Sequence, residues 1–250
     1  MNKPTTAEGA HRGPITIPNP ETLVAIPRGC IWSVWEVAEE YALRDLPPMP
    51  APFVLDVGAN VGVFALAAME RWPGATVHCF EPHPETCAVL LSNLAKECES
   101  KAAMVVHVAV DHPAAIGSKA MLHEGFNRLC CSLVDRSSEG ETLDGPCVEV
   151  ELLDSALLPA CDVLKLDTEG REVEILRGYQ HLSAVKVLLV EIHKLEDAEV
   201  VAKMAADAGL SLIDRRNSTL RFRRTTSGDR FAPHFFDVAV GATKPEGGKA

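Results

Sequence analysis

Acidic side chains recur at the ends of apolar runs in this sequence. Asp56 follows Phe53-Val54-Leu55, Glu81 follows Thr76–Phe80, Asp167 follows Asp162–Leu166, and Glu191 and His193 close the run Val185–Ile192. A carboxylate accepts several hydrogen bonds and attracts cations, so such a set suits a ligand with positive charge or vicinal hydroxyls. Between Asp56 and Gly62 runs Val57-Gly58-Ala59-Asn60-Val61. Gly58 and Gly62 allow a tight turn and a close backbone approach to a ligand, but the three-glycine dinucleotide fingerprint is incomplete. A doubly anionic pyrophosphate gains little beside Asp56, whereas the sulfonium and ammonium of S-adenosylmethionine gain from it. Glu81 stands 81 − 58 = 23 residues beyond Gly58, near the spacing at which an acid accepts ribose hydroxyls.

The later strand ends bring the reactive groups. Ala109 and Val110, just before Asp111, are placed to line an adenine with apolar contact and backbone hydrogen bonds. Asp167-Thr168-Glu169-Gly170 opens a helix. Its carboxylates are expected at the ligand crevice, and Asp167 can also cap the helix while Glu169 favours its dipole. Strand alternation sends Glu191 and His193 to one face. His193 titrates near neutral pH and is the expected general base. Asp167 and Glu169 orient it or hold an acceptor, Glu191 lies beside that acceptor, and Asp167 is the alternative base. The same oxygen and nitrogen donors could hold a divalent cation, although no metal is assigned.

These groups need a frame that collects strand ends. From residue 53 onward, short apolar runs alternate with helical patterns. Strands are expected at 53–55, 76–80, 104–110, 148–152, 162–166 and 185–192, and helices at 61–71, 84–96, 171–180 and 195–208. Further strand candidates follow at 210–213, 220–223 and 235–242. Such alternation implies an open α/β sandwich, with the ligand beyond the carboxyl ends of the parallel strands. Before it, residues 1–20 read as a tail, Leu23–Ile26 as a short strand, and Ile31–Leu46 as a helix stopped by Pro47-Pro48. On that helix Trp32 and Trp35 read as core anchors. Residues 111–147 are expected to hold short strands and a mobile loop. The expected division is a tail (1–20), a strand and helix cover (21–48), a main domain (49–243) and a second tail (244–250).

Composition bounds the function. The 250 residues are 47% hydrophobic and 24% charged, with a formal net charge of −11. This is a globular composition, and its acidity argues against a general nucleic-acid binder. Residues 214–230 reverse the sign locally, with six arginines against Asp214 and Asp229. Such a patch could grip a phosphate or carboxylate, and more often it is the charged guard of a sheet edge. No apolar run has the length of a membrane span and the N-terminus lacks a secretory h-region, so a cytoplasmic location is expected. The eight cysteines form no C-x-x-C pair and read as reduced thiols.

Taken together, Trp35-Glu36, Val54–Gly62, Phe80-Glu81-Pro82, Ala109-Val110, Leu164–Gly170 and Val190–His193 resemble the FkbM family of S-adenosylmethionine-dependent methyltransferases. The likeness covers about residues 30–195. It implies a class I methyltransferase fold, a Rossmann-like open seven-stranded sheet with helices on both faces and a reversed last hairpin. It also implies S-adenosylmethionine as cofactor, held by Glu36, Asp56, Gly58, Ala59, Asn60, Gly62, Glu81, Pro82, Ala109, Val110 and Asp167. Asn127 is placed as a polar residue near the acceptor. Such enzymes methylate hydroxyls of sugars and natural products, and some methylate peptide amide nitrogen. A small-molecule acceptor is therefore the expected partner, and a homodimer is left open. The rival readings are a nicotinamide oxidoreductase or epimerase, which the acid at Asp56 disfavours, and a cofactor-binding partner subunit without catalysis.

Overall fold

A computed structural model describes residues 35–124, 131–133 and 147–225. Seven strands form the main sheet: β1 (Phe53–Val57), β2 (Thr76–Phe80), β3 (Ala103–Val106), β8 (Val163–Leu166), β9 (Val187–Glu191), β10 (Leu210–Arg216) and β11 (Thr219–Arg224). Their order is β10-β11-β9-β8-β1-β2-β3. The five strands β9, β8, β1, β2 and β3 are parallel, and β11 runs antiparallel to both β9 and β10. This is the seven-stranded, reversed-hairpin sheet of a class I methyltransferase. The buried strands β1, β8 and β9 are nearly continuous apolar runs, as a sheet covered on both faces requires.

Each face buries its own core. Val54, Val77, Cys79, Val163 and Val187 pack under helices α1 (Val63–Arg71) and α2 (Pro84–Asn93), together with Tyr41 and Leu46. On the other face Leu55, Leu164, Leu166 and Leu188 pack under α4 (Glu172–Gly178) and α5 (Asp197–Asp207), a short α3 (Ala95–Glu99) lying between β2 and β3 in the chain. Proline at the first position of α2 costs no intrahelical hydrogen bond, and the His83 side chain accepts from Thr86 N at its start.

Several element boundaries differ from expectation. The single strand foreseen at 104–110 is two: β3 ends at Val106, and β4 (Ala109–Asp111) leaves to pair with β7 (Cys147–Asp154). A second sheet results, ordered β4-β7-β5-β6, with β5 at Lys119–Glu124 and β6 at Cys131–Ser132. The helix foreseen at 84–96 breaks at Leu94. The helix foreseen at 31–46 is, in its described part, a π-helical turn (Glu36–Tyr41) and a 3-10 turn (Leu43–Asp45), separated by Ala42 at φ +39°. The carbonyls of Tyr41 and Ala42 accept from buried Arg221 Nη1 at 3.0 and 3.1 Å, which satisfies them without a continuing helix. Trp35 is 41% exposed and is not a core anchor; buried Trp72 is, with its Nε1 donating to Pro47 O. Trp32, Cys30, Asn127, Cys130, the strands at 23–26 and 235–242, and both tails lie outside the described residues.

The basic hairpin is structural. Arg221 holds Asp214 with two bonds of 2.6 and 2.7 Å, Arg216 reaches Asp45 at 2.7 Å, and Arg224 donates to the carbonyls of Val185, Ala208 and Leu182. These guanidiniums fasten the hairpin to the 36–45 segment and to the sheet rather than presenting a phosphate grip. No helix of the described residues is long and apolar enough to cross a membrane. The six described cysteines, among them buried Cys79, are free thiols.

Candidate active site

Parallel register decides which side chains meet. Asp56 and Lys165 are direct neighbours across β1 and β8, so their side chains share a face. Two residues on, Asp167 extends the same face past the strand end, and Glu191 does so at the end of β9. The 36–41 turn lies over this face. Carboxylate oxygens of Glu36, Asp167 and Glu191 lie within 4.8 Å of one another, and so do carboxylate oxygens of Asp167 and Glu169 and a ring nitrogen of His193.

Asp56 is fully buried beneath the glycine loop and does not line the cleft. Its Oδ1 lies 3.2 Å from Lys165 Nζ, which is also 3.3 Å from Asp167 Oδ2 and donates to Gly58 O at 2.5 Å. Lys165 was not singled out from sequence, where it reads as an interruption of an apolar strand. Burial works against its charge, but Asp56 and Asp167 push its pKa up. Tyr41 Oη donates to Asp167 Oδ2 at 3.2 Å. Burial disfavours the Asp167 anion, yet Lys165 and His193 hold its pKa below the usual carboxylate value.

The glycines are required by protein contacts. Gly58 has φ +78°, and a Cβ there would lie 1.7 Å from Asp167 O. Gly62 has φ +90°, and its Cβ would press on Leu90. Gly58 therefore lets the loop after β1 touch the loop after β8, while Gly62 lets α1 sit against α2.

Glu81 ends β2 with both oxygens held, Oε2 by Asn60 N and Oε1 by His83 N, each at 2.9 Å. Burial outweighs these bonds and raises its pKa to about 7. Glu81, Pro82, Gly58, Asn60, Ala109, Val110, Asp167 and Glu169 line one cleft. Ala59 and Gly62 are not among its lining residues. The second sheet supplies the opposite wall through Leu122, Cys131 and Leu133, a contribution no strand-end signal announced. Ser132 Oγ donates to Glu169 O at 2.7 Å and ties that sheet to the site.

The caps differ from the simple reading. Glu172, not Asp167, collects the loop amides, its Oε1 accepting from Thr168 N and Gly170 N at 2.9 and 3.2 Å. That leaves Asp167 to the cleft. His193 is 3.1 Å from Glu172 Oε1, 3.3 Å from Glu169 Oε2, 3.9 Å from Asp167 Oδ1 and 4.0 Å from Glu191 Oε1. Burial opposes its charge, but hydrogen bonds with Glu169 and Glu172 raise its pKa to about 12. At neutral pH it is a cation and a donor. Burial first, then Asp167, raises Glu36 to about 7 and Glu191 to about 9. Glu191 Oε1 also accepts from Ser218 Oγ at 3.0 Å.

Comparison with known proteins follows the same lines. A family model described as the methyltransferase FkbM domain matches residues 56–221. The methyltransferase sdnD of Sordaria araneosa is 29% identical over 182 residues, covering 60% of this chain and 69% of that protein. The hexuronic acid methyltransferase AglP of Haloferax volcanii is 30% identical over 161 residues, covering 62% of each. The 31-O-demethyl-FK506 methyltransferase FkbM of Streptomyces tacrolimicus is 28% identical over 188 residues, covering 61% and 70%. The matches thus span between 62% and 70% of these relatives' lengths. Among solved structures, a methyltransferase FkbM from Methylobacillus flagellatus superposes with a TM-score of 0.49 at 16% identity, covering 72% of this chain and 45% of that one.

Proposed function

The chain belongs to the FkbM methyltransferase family, and from that premise we propose that it methylates a hydroxyl group of a sugar or natural-product small molecule, with S-adenosylmethionine as donor. One observation carries the reading: Glu81 and Asp167, from the ends of β2 and β8, flank the Gly58–Asn60 loop within a single cleft. The names of two relatives, a hexuronic acid methyltransferase and a 31-O-demethyl-FK506 methyltransferase, support the acceptor class. In this reading residues 49–243 form the catalytic domain, 21–48 its cover, and the setting is cytoplasmic.

The residues present fit the donor. Each oxygen of Glu81 holds one backbone N–H and keeps a lone pair, so the carboxyl group can receive ribose hydroxyls. Val108, Ala109, Val110 and Leu122 provide an apolar wall for a flat ring. Glu36, close to Asp167, adds a partly ionised carboxyl group on the cover side. When bound, S-adenosylmethionine supplies a methyl group on a cationic sulfur, already a strong electrophile. What the protein must add is position and a proton acceptor. Asp167 takes the acceptor's proton, because His193 is held protonated among its carboxylates and cannot. His193 instead fixes Glu169 and Glu172 and offsets their charge. Glu191 lies beside the acceptor and keeps its proton, which it shares with Asp167 as a hydrogen bond.

Calorimetry with S-adenosylmethionine, S-adenosylhomocysteine and NAD tests the donor. Binding of both sulfur compounds and not of NAD is expected. Binding of NAD alone would overturn the reading in favour of an oxidoreductase.

A further inference from the structure

Lys165 is a lysine in the middle strand of the seven-stranded sheet, 3% exposed, and an ammonium there loses hydration that its partners must replace. Neutralising Asp56 alone would need one neighbour. Lys165 has three: Asp56, the carbonyl of Gly58 and Asp167. It therefore touches the floor of the glycine loop, the loop backbone itself and the acid at the reacting end of the cleft. The rings of Tyr41 and Phe64 lie 5.7 and 5.9 Å from Nζ, which closes the remaining side of the ammonium with aromatic faces.

We propose that Lys165 is a positioning residue for methyl transfer, a buried clamp that joins the cofactor loop to Asp167 and keeps Asp167 ionised and aimed into the cleft. The mechanistic part rests on the methyltransferase reading above. The arrangement at Asp167 does not, since it is a matter of this chain's own charges. The groups facing Asp167 are Glu36 and Tyr41 from the cover, Asp56 and Glu81 from β1 and the end of β2, Lys165 and Glu169 from its own strand and loop, and Glu191 and His193 from the next strand. Six of these eight are acids or a phenol. Without Lys165, His193 is the one cation left among these groups, with hydrogen bonds from Tyr41 and Glu191 as the other support for the Asp167 anion. His193 Nε2 is 3.9 Å from Oδ1, whereas Lys165 Nζ is 3.3 Å from Oδ2.

Two roles must be told apart. If Lys165 serves only to neutralise Asp56, removing both charges together restores everything. If it also governs Asp167, the double variant refolds but Asp167 titrates at a higher pH. The test is the carboxyl carbon titration of Asp167, followed by NMR in protein labelled at the aspartate carboxyl and assigned by loss of the signal in Asp167→Asn. In Lys165→Met/Asp56→Asn the midpoint is expected to rise by about one pH unit or more, the size that loss of an adjacent opposite charge produces. In Asp56→Asn, with Lys165 intact, it stays low. The acid limb of the methyl-transfer rate then moves with the Asp167 midpoint. An unchanged midpoint in the double variant overturns the proposal.

A second measurement requires no change at Lys165. Its Nζ resonance is expected to move in Asp167→Asn, and an unmoved signal equally overturns the proposal. If the unmodified protein neither binds S-adenosylmethionine nor transfers methyl, the functional reading fails while both NMR results still decide the clamp.

Discussion

Tyr41 Oη donates to Asp167 Oδ2 at 3.2 Å across 126 positions of sequence. The segment that covers the sheet thus supplies a direct bond to the acid proposed to accept the proton. Tyr41→Phe keeps the ring, which stacks edge-on against Phe64, and deletes only the hydroxyl. A hydrogen bond to a charged acceptor contributes about 1.5–3 kcal/mol. A fall in kcat of about tenfold or more, with a Tm lower by several degrees, is the expected outcome of steady-state kinetics and thermal unfolding.

Glu191 gives a pH prediction with a definite sign. Its pKa rises from 4.5 to about 9 in the folded protein, through burial and then the charges of Asp167 and Glu36. Its proton therefore stabilises the fold. That contribution is complete below pH 4.5 and is lost as the pH climbs through 9. Glu191→Gln removes the burden of ionisation, so its Tm falls less than that of the unmodified protein between about pH 4.5 and 9. Parallel Tm curves would contradict the assignment.

At Gly58 the chain has no room for a side chain. Alanine there combines a positive φ with a Cβ 1.7 Å from Asp167 O. Gly58→Ala is expected to cost about 3–5 kcal/mol and to weaken cofactor binding, as read by denaturant unfolding and calorimetry. Gly117 serves as the control: it has φ +76°, and a Cβ added there would meet nothing within 4 Å. Its alanine variant loses only about 1 kcal/mol.

Arg221 latches the cover. Its guanidinium pairs with Asp214 and caps the carbonyls of Tyr41 and Ala42. Breaking a fully buried pair costs about 3–5 kcal/mol. Asp214 is partly exposed, so Arg221→Met is expected to cost less, about 2–3 kcal/mol. Proteolytic cleavage should accelerate first within residues 36–46. If cleavage instead begins elsewhere, the latch is wrongly placed.

Much of the frame is written locally. The runs 53–57, 76–80 and 163–166 are apolar, short and punctuated, so the strands and the acids that end them are readable one segment at a time. What escaped depends on pairing across long stretches of chain. The run Met104–Val110 contains no turn residue, and only the partner β7, about forty residues on, reveals that β4 has left the main sheet. Lys165 looks like a misplaced charge until register sets it opposite Asp56. The protonated state of His193 follows from four carboxylates contributed by three segments, whereas sequence alone shows a histidine with an ordinary pKa. The cap role of Glu172 was hidden for the same reason: Asp167 stands where a cap normally does, and only the fold shows which acid turns inward.

The central claim is that the strand-end cleft transfers methyl groups, with Asp167 as proton acceptor. The most direct measurement supplies S-adenosylmethionine labelled in its methyl group, together with a small-molecule extract, to the unmodified protein and to Asp167→Asn, with mass spectrometry of the products. One labelled methyl on an oxygen of a small molecule is expected from the unmodified protein, and a rate lower by about 10²–10⁴-fold from Asp167→Asn despite retained binding of S-adenosylhomocysteine. No labelled product from the unmodified protein, or equal rates from the two, would contradict it.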